Sequence, residues 1–476
     1  MFWDSSSDKI EQNYQWRAEM NLKAAIDYFN AHEQTTLNEL MEFLSIPSVS
    51  TDPERLDKVE SAARFIAEKL RSIGMENIHI FPTQRHPIVY ADYLHAGAQQ
   101  PTVLVYGHYD VQPEDPIELW HSDPFSPVIL GDHLVARGAS DMKGQIFAIV
   151  AALEAIKNTG EIPINVKFIL EGEEEIGSPN LLPFLEEHKG LLKADFALNP
   201  DAGMSSKDLP SITYGLRGLA YFEIRIFGPD HDLHSGSYGG IVHNPAQVMA
   251  DLISKMHDKH NRVTLPGFYD RVEPLSSDER EKLSKYAPDD EEYCRQTGVP
   301  KLWGEKDYSP FERIGARPTL EVNGILSGFT GVGSKTIIPA KAMAKISTRL
   351  VPNQRPEEVY YQLVEFMKIH APDTVRWEVE QLSTGSPSIS DINLPASRAL
   401  SQAFDEVWGI EPAFKREGGS VPVVADMQNI LGIDSVLTGF GLPDDRIHSP
   451  NEKLDLPTWH KGIHALIHFF EYVKLP

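Results

Sequence analysis

Three glutamates stand side by side in Glu171-Gly-Glu-Glu-Glu-Ile-Gly177, directly after an apolar stretch that ends at Leu170. Acids packed at a strand exit repel one another and push their own pKa values up. Either the loop is simply solvated or a cation sits among the carboxylates. Four other segments supply partners for a cation: His108-Tyr-Asp110, Ser140-Asp141-Met-Lys-Gly144, Asn199-Pro-Asp201 and Ile447-His448-Ser-Pro-Asn-Glu452. Together they carry the Asp, Glu and His side chains that a pair of hydrolytic divalent ions requires.

Each candidate also has a plainer reading. In an extended His-x-Asp segment the two side chains point the same way, so Asp110 can accept one imidazole N–H of His108 and leave the other nitrogen for a metal. The alternative is a surface hydrogen bond. Asp141 precedes a helix, where Asp is most often an N-cap, but a carboxylate in that loop can also bridge two ions. Lys143 beside it reads as structural. Among Glu173, Glu174 and Glu175, two neighbours can divide the work. One binds metal and the other takes a proton from the metal-bound water, whose pKa falls to roughly 7. Spacing does not say which two. Asp201 follows a short strand and is otherwise a turn former. His448 lies in a loop and gains weight only from the company of the others. His234, in Asp232-Leu-His-Ser-Gly236, can polarise a substrate carbonyl. The Gly418-Gly419-Ser420 loop can offer N–H groups to an anion, and Arg349 can clamp a carboxylate through two of its guanidinium nitrogens.

The elements that must position these residues alternate. Residues 8–45 read as helical in two stretches, the second ended by Pro47, and Lys58 to Ile73 as an amphipathic helix stopped by Gly74. Strands are expected at Thr102 to Tyr106, Ile164 to Leu170 and Asp195 to Leu198, with helices at Gly144 to Asn158 and Leu181 to Glu187. This rhythm predicts an α/β domain, a mixed and mostly parallel sheet with helices on both faces. Near residue 212 the pattern changes. Phe222, Ile224 and Ile226 alternate with Tyr221, Glu223 and Arg225, as in a half-buried antiparallel strand. Helices are expected after Asn244-Pro245 and over Pro356 to His370, giving an inserted α+β domain. After about residue 386 α/β features return, with helices at Ser397 to Trp408 and Thr458 to Val473 around a strand at Ser435 to Thr438. The expected organisation is a catalytic domain from residues 1–211 and 387–476, interrupted by an inserted domain over 212–386.

At 476 residues the chain exceeds what one core usually serves, so two domains are expected. The formal net charge of −25, without basic clusters, argues against nucleic acid and anionic membrane as partners. Cys294 is the sole cysteine, which excludes an intrachain disulfide and a cysteine-rich zinc site. With no signal-like start and no long apolar run, a cytoplasmic protein is expected.

In order along the chain, Gly107-His-Tyr-Asp-Val-Gln-Pro113, Ser140-Asp-Met-Lys-Gly144, Glu171-Gly-Glu-Glu-Glu-Ile-Gly177, Asp232-Leu-His-Ser-Gly236, Gly267-Phe-Tyr-Asp270, Lys335-Thr-Ile-Ile-Pro339, Arg349-Leu-Val-Pro-Asn353, Arg416-Glu-Gly-Gly-Ser420 and His448-Ser-Pro-Asn-Glu-Lys453 resemble the M20 metallopeptidases, most closely their carnosinase-like dipeptidase branch. The resemblance implies two divalent ions, zinc by default and manganese as an alternative. His108 and Asp201 would hold one and Glu175 and His448 the other, with Asp141 between them and Asp110 orienting His108. It also implies that Glu174 is the general base and that Glu173 need not be acidic. Arg349, Thr336, Gly419 and Ser420 would contact the carboxylate end of a substrate, and His234 would reach the active site of a partner subunit in a homodimer. The implied reaction is hydrolysis of dipeptides or short peptides by a metal-bridging hydroxide, with the inserted domain as lid and dimer surface. The alternatives are an N-acyl amino acid deacylase or carboxypeptidase of the same family, and a catalytically silent binding or scaffold homologue.

Overall fold

The computed structural model of the protein describes residues 21–419 and 421–475. The helical reading of residues 8–20 lies outside them. The chain divides into two compact units. One holds the segment up to Ile212 with Asn393–Pro412 and the segment from Ser435 onward, and the other holds Thr213–Ile392 with Ala413–Asp434.

The first unit is an α/β structure. Its strands run in the order Glu76–Phe81, Ile88–Tyr93, Asn165–Glu171, Thr102–His108, Phe196–Asn199 and Ser435–Leu437. The first two junctions are antiparallel and the next three parallel, so the sheet is mixed. Every position of Ile88–Tyr93, Asn165–Glu171 and Phe196–Asn199 is buried, which requires cover on both faces. The register decides where chemistry can sit. His108 pairs with Glu171, and Val105 with Leu198, so the strands leading to His108, to the glutamate triplet and to Asp201 end along one rim. Carboxyl ends of parallel strands are where open α/β sheets bind their ligands.

The helix Lys143–Thr159 is buried almost all round. Its start is fixed by Gly144, where a Cβ would lie 2.1 Å from the Ala139 carbonyl oxygen, so only glycine lets the Asp141 loop fold back so tightly. Trp459 Nε1, from the helix Leu456–Tyr472, donates to the Gly144 carbonyl at 2.8 Å. The N-terminal region forms one helix, Leu22–Leu44, instead of the expected two. The Thr35-Thr36 pair does not break it, because the Thr36 hydroxyl bonds back to the His32 carbonyl at 3.2 Å. Lys143 is fully buried and its Nζ donates to the carbonyls of Phe43 and Ile46 at 3.1 and 2.8 Å, capping the end of that helix.

The second unit is a four-stranded antiparallel sheet in the order Thr319–Ser327, Lys341–Leu350, Gly218–Phe227, Arg376–Gly385. Gly218–Phe227 alternates buried and half-buried residues. Phe222, Ile224 and Ile226 pack into one core with residues of the helices Pro245–Ser254 and Pro356–His370. Burying each such side chain contributes on the order of 1.5–3 kcal/mol. Asn244 caps the first helix by accepting the Ala246 N–H at 2.9 Å. Ala413–Asp434 groups with this unit, although the sequence pattern carries the first domain onward from residue 387. The Arg416 guanidinium there bonds Glu279, and the Arg217 N–H reaches the Glu417 carbonyl at 3.3 Å. Among the described residues, no helix is long and apolar enough to cross a membrane.

Candidate metal centre

The rim of the first sheet gathers five donors. His108 ends its strand fully buried, with Nε2 3.1 Å from Asp141 Oδ1. The other oxygen, Asp141 Oδ2, lies 2.8 Å from His448 Nε2, which in turn is 3.3 Å from Glu175 Oε2. Two triads result, His108–Asp141–Asp201 and Asp141–Glu175–His448, each with ligand atoms within 4.8 Å of one another. Donors of a tetrahedral ion at roughly 2.1 Å stand about 3.4 Å apart, so these spacings fit a pair of cations. Asp141 is common to both triads and turns one oxygen to each. Mixed imidazole and carboxylate donors suit zinc, and the share of oxygen also admits manganese.

Backbone hydrogen bonds hold the donors in place. His108 Nδ1 lies 3.1 Å from the Asp110 carbonyl and 3.5 Å from its carboxylate. That buried carboxylate also accepts the N–H groups of Glu174 and Glu175 at 3.3 and 3.1 Å. Asp110 therefore braces the glutamate loop as well as the imidazole. Within the triplet the structure separates roles that spacing left open. The Glu173 carboxylate is buried and accepts the His86 N–H at 2.8 Å and the Asn180 amide at 2.9 and 2.8 Å, so it fastens the loop. Glu175 faces His448 and receives the Gln112 amide at 2.6 Å. The charges that act on Glu174 are those of His108, Asp201, Glu175 and Asp141, which sets it among the donors.

Glu452, in the same segment as His448, is a site residue that sequence reasoning misses. Buried, it accepts Arg137 Nη1 at 2.8 Å and the N–H groups of Gly138, Ser140 and Asp141 at 3.0, 2.9 and 3.0 Å. One carboxylate thus shapes the loop that carries Asp141. Its only sequence signal is its place four residues beyond His448. The His448 loop is held in a costly conformation, with φ of +60° at His448 and +58° at Arg446. For residues with a Cβ this costs roughly 1–2 kcal/mol each. Asn451 anchors the loop, accepting the His121 N–H and donating to the Leu119 carbonyl, both at 2.8 Å.

The electrostatics follow from the crowding. Burial disfavours a charged His108, but hydrogen bonds to Asp110 and Asp141 outweigh it and raise its pKa well above the ordinary value. Hydrogen bonds to Asp141 and Glu175 push His448 up to about 10. Burial acts to raise Asp141, yet His108 and His448 hold it below the ordinary carboxylate range. Glu174 is pushed up to about 8 by burial, with His108 opposing and the charges of Asp201, Glu175 and Asp141 adding to the rise.

His234, Thr336, Arg349 and Gly419 belong to the second unit and to neither donor triad. Ser420 lies outside the described residues. His234 pairs with Ile337 across a two-residue ladder, beside Thr336, and both side chains are exposed. His234 Nδ1 accepts the Gly236 N–H at 3.0 Å, so the ring proton sits on Nε2, free to donate outward. Arg349 lies opposite Leu219 and is half-buried.

The sequence profile of peptidase family M20/M25/M40 matches residues 104–472. The chain is 32% identical to a Cys-Gly metallodipeptidase of Candida albicans, over 92% of this chain and 94% of the relative. It is 30% identical to the human Beta-Ala-His dipeptidase, over 94% and 92% of the two chains. Among solved structures it resembles an M20 family metallo-carboxypeptidase from Sulfolobus solfataricus with a TM-score of 0.81 and 35% identity, covering 92% of this chain and 99% of that one.

Proposed function

The chain belongs to peptidase family M20/M25/M40, and on that premise we propose that it hydrolyses the peptide bond of dipeptides or similarly short peptides at a pair of divalent metal ions. The observation that carries this reading is the sharing of Asp141 between two donor triads, one oxygen facing His108 and the other His448. The ions, zinc by default or manganese, would polarise the scissile carbonyl and acidify water.

His108 and Asp201 would hold one ion and Glu175 and His448 the other, with Asp141 shared between the two sites. Glu174 takes the proton from the attacking water and passes it to the leaving amine. A group whose charged form is disfavoured by burial is suited to hold that proton between the two steps. Asp110 and Glu452 keep the donors in register through backbone N–H groups. His234 donates from Nε2 to the developing oxyanion, reaching across from the partner subunit of a homodimer. Arg349, Thr336, Gly419 and Ser420 receive the substrate's terminal carboxylate. The second unit acts as lid and dimer surface, and the enzyme works in the cytoplasm, as its single cysteine suits.

A panel of unmodified dipeptides, run on protein reconstituted separately with zinc and with manganese, tests the reading. Turnover of several is expected, and no turnover with either metal contradicts it. A second reading, carboxypeptidase or N-acyl amino acid deacylase, is favoured by the likeness to the Sulfolobus solfataricus metallo-carboxypeptidase. Strict preference for N-acetylated over free dipeptides would decide for it.

A further inference from the structure

Within the second unit, Arg217 precedes the strand Gly218–Phe227 and Arg349 sits opposite Leu219 of that strand. Both line a cavity of about 370 Å³, together with Arg313, Arg317 and Glu321. Arg317 is held by Glu305 through two hydrogen bonds of 2.8 Å, which neutralises it. Arg217 Nε donates to the Gly418 carbonyl at 3.2 Å, and its backbone N–H to the Glu417 carbonyl at 3.3 Å. The approach is close enough to dictate sequence. A Cβ at Gly418 would lie 2.8 Å from Arg217 Nη2, so glycine there makes room for the guanidinium. Burial, and then the charge of Arg349, push Arg217 down to about 10, with Glu321 opposing.

We propose that Arg217 is a positioning residue for carboxylate recognition, gripping the carbonyl that precedes Gly419 and adding a second positive charge beside Arg349, so that the enzyme discriminates peptides with a free terminal carboxylate from their amides. The inference rests on the reading of Arg349 and Gly419 as the carboxylate contacts. A guanidinium fixed by the loop it organises loses little entropy when the anion arrives. Its charge adds to the attraction for an anionic substrate end. A neutral terminus binds to the same loop without that gain.

The test is the kcat and KM of wild type, Arg217→Met, Arg217→Lys and Arg349→Met on one dipeptide and its C-terminal carboxamide. For Arg217→Met, KM for the free acid is expected to rise at least about tenfold relative to the amide, with kcat on the amide within about threefold of wild type. Arg217→Lys keeps the charge but not the grip, and is expected to fall between. An unchanged acid-to-amide ratio in Arg217→Met, or an equal fall in kcat on both substrates, overturns the inference and marks a structural residue. If Arg217→Met does not fold, the ratio in Arg217→Lys decides by the same criterion. A ratio that survives in Arg349→Met as well, or a wild type that does not discriminate at all, defeats the carboxylate reading beneath it. A ratio lost in Arg349→Met but kept in Arg217→Met defeats the Arg217 inference alone.

Discussion

The loops that carry the proposed metal donors of the first unit and the ladder that carries two proposed substrate contacts of the second are held differently. His108, Asp110 and Glu452 are fully buried, and Asp110 and Glu452 each accept backbone N–H groups that fix the loops around them. His234 and Thr336 are exposed, on a ladder of two residue pairs. Donors to an ion must hold their spacing before it arrives, since each ångström of slack weakens every bond to it. Groups that meet a substrate can tolerate motion, because part of their geometry is set when the substrate binds. Mutations of the donors and of the residues that brace them should therefore report on metal as well as on rate, whereas mutations of Glu174 or of the second region should report on rate alone.

The largest effect is expected from Glu174→Gln, which keeps the shape but removes the proposed base. Turnover should fall roughly 10²–10⁴-fold while metal content stays at the wild-type level. Paired kinetics and elemental analysis check this, and near-normal turnover would show that another group moves the proton. His234→Ala removes a proposed oxyanion donor and should cost about 10²–10³ in kcat, again with metal retained. Loss of metal in that variant would erase the distinction between the two regions.

Glu452→Gln is expected to act differently from either. The neutral amide cannot accept all of the N–H groups of Gly138, Ser140 and Asp141, and it leaves Arg137 buried without its carboxylate. Metal affinity should drop about 10–100-fold, and thermal stability should fall with it, by about 3–5 kcal/mol if the buried pair behaves as others do. Affinity measured by competition with a chelator, alongside a melting curve, separates the two effects. Unchanged affinity would reduce Glu452 to a fold element.

The mildest contrast is among histidines. His108 and His448 lie against carboxylates and are raised, whereas burial lowers His460, His464 and His468 along one face of the helix Leu456–Tyr472. Charged and titratable groups facing this stripe are Glu33, 3.4 Å from His460 Nε2, together with Glu406 and Tyr472 beside His468. Asn30 Oδ1 accepts from His464 Nε2 at 2.9 Å. Below about pH 6.5 the unfolded chain takes up protons that these folded rings resist, so their contribution is complete above that pH and is lost as the pH falls. His464→Gln should flatten the decline in melting temperature between about pH 7.5 and 5.5. An unaltered slope would show that the stripe does not titrate in that window.

Part of the first region was legible in the sequence because His108, Glu175 and Asp201 follow strands whose ends align along one rim. The apolar run before Glu171 and the one before His108 mark the strands, and parallel pairing brings their ends together. The alternation of Phe222, Ile224 and Ile226 likewise announces a half-buried strand. The antiparallel strands Glu76–Phe81 and Ile88–Tyr93 were not legible, since the first buries none of its residues and Asp92 interrupts the apolar run of the second. Nor could spacing separate Glu173 from its neighbours, because what turns it away is Asn180 and the distant N–H of His86. Glu452 was hidden for the same reason: its partners lie some 311–315 residues earlier in the chain.

Metal content per chain, measured on the wild type and on Asp141→Asn after equilibration with zinc or manganese, bears most directly on the shared-carboxylate site. Two ions per wild-type chain are expected, with Asp141→Asn losing both and peptide hydrolysis vanishing with them. A wild type that hydrolyses dipeptides with one ion or none, or an Asp141→Asn variant that keeps both, would contradict a centre joined through Asp141.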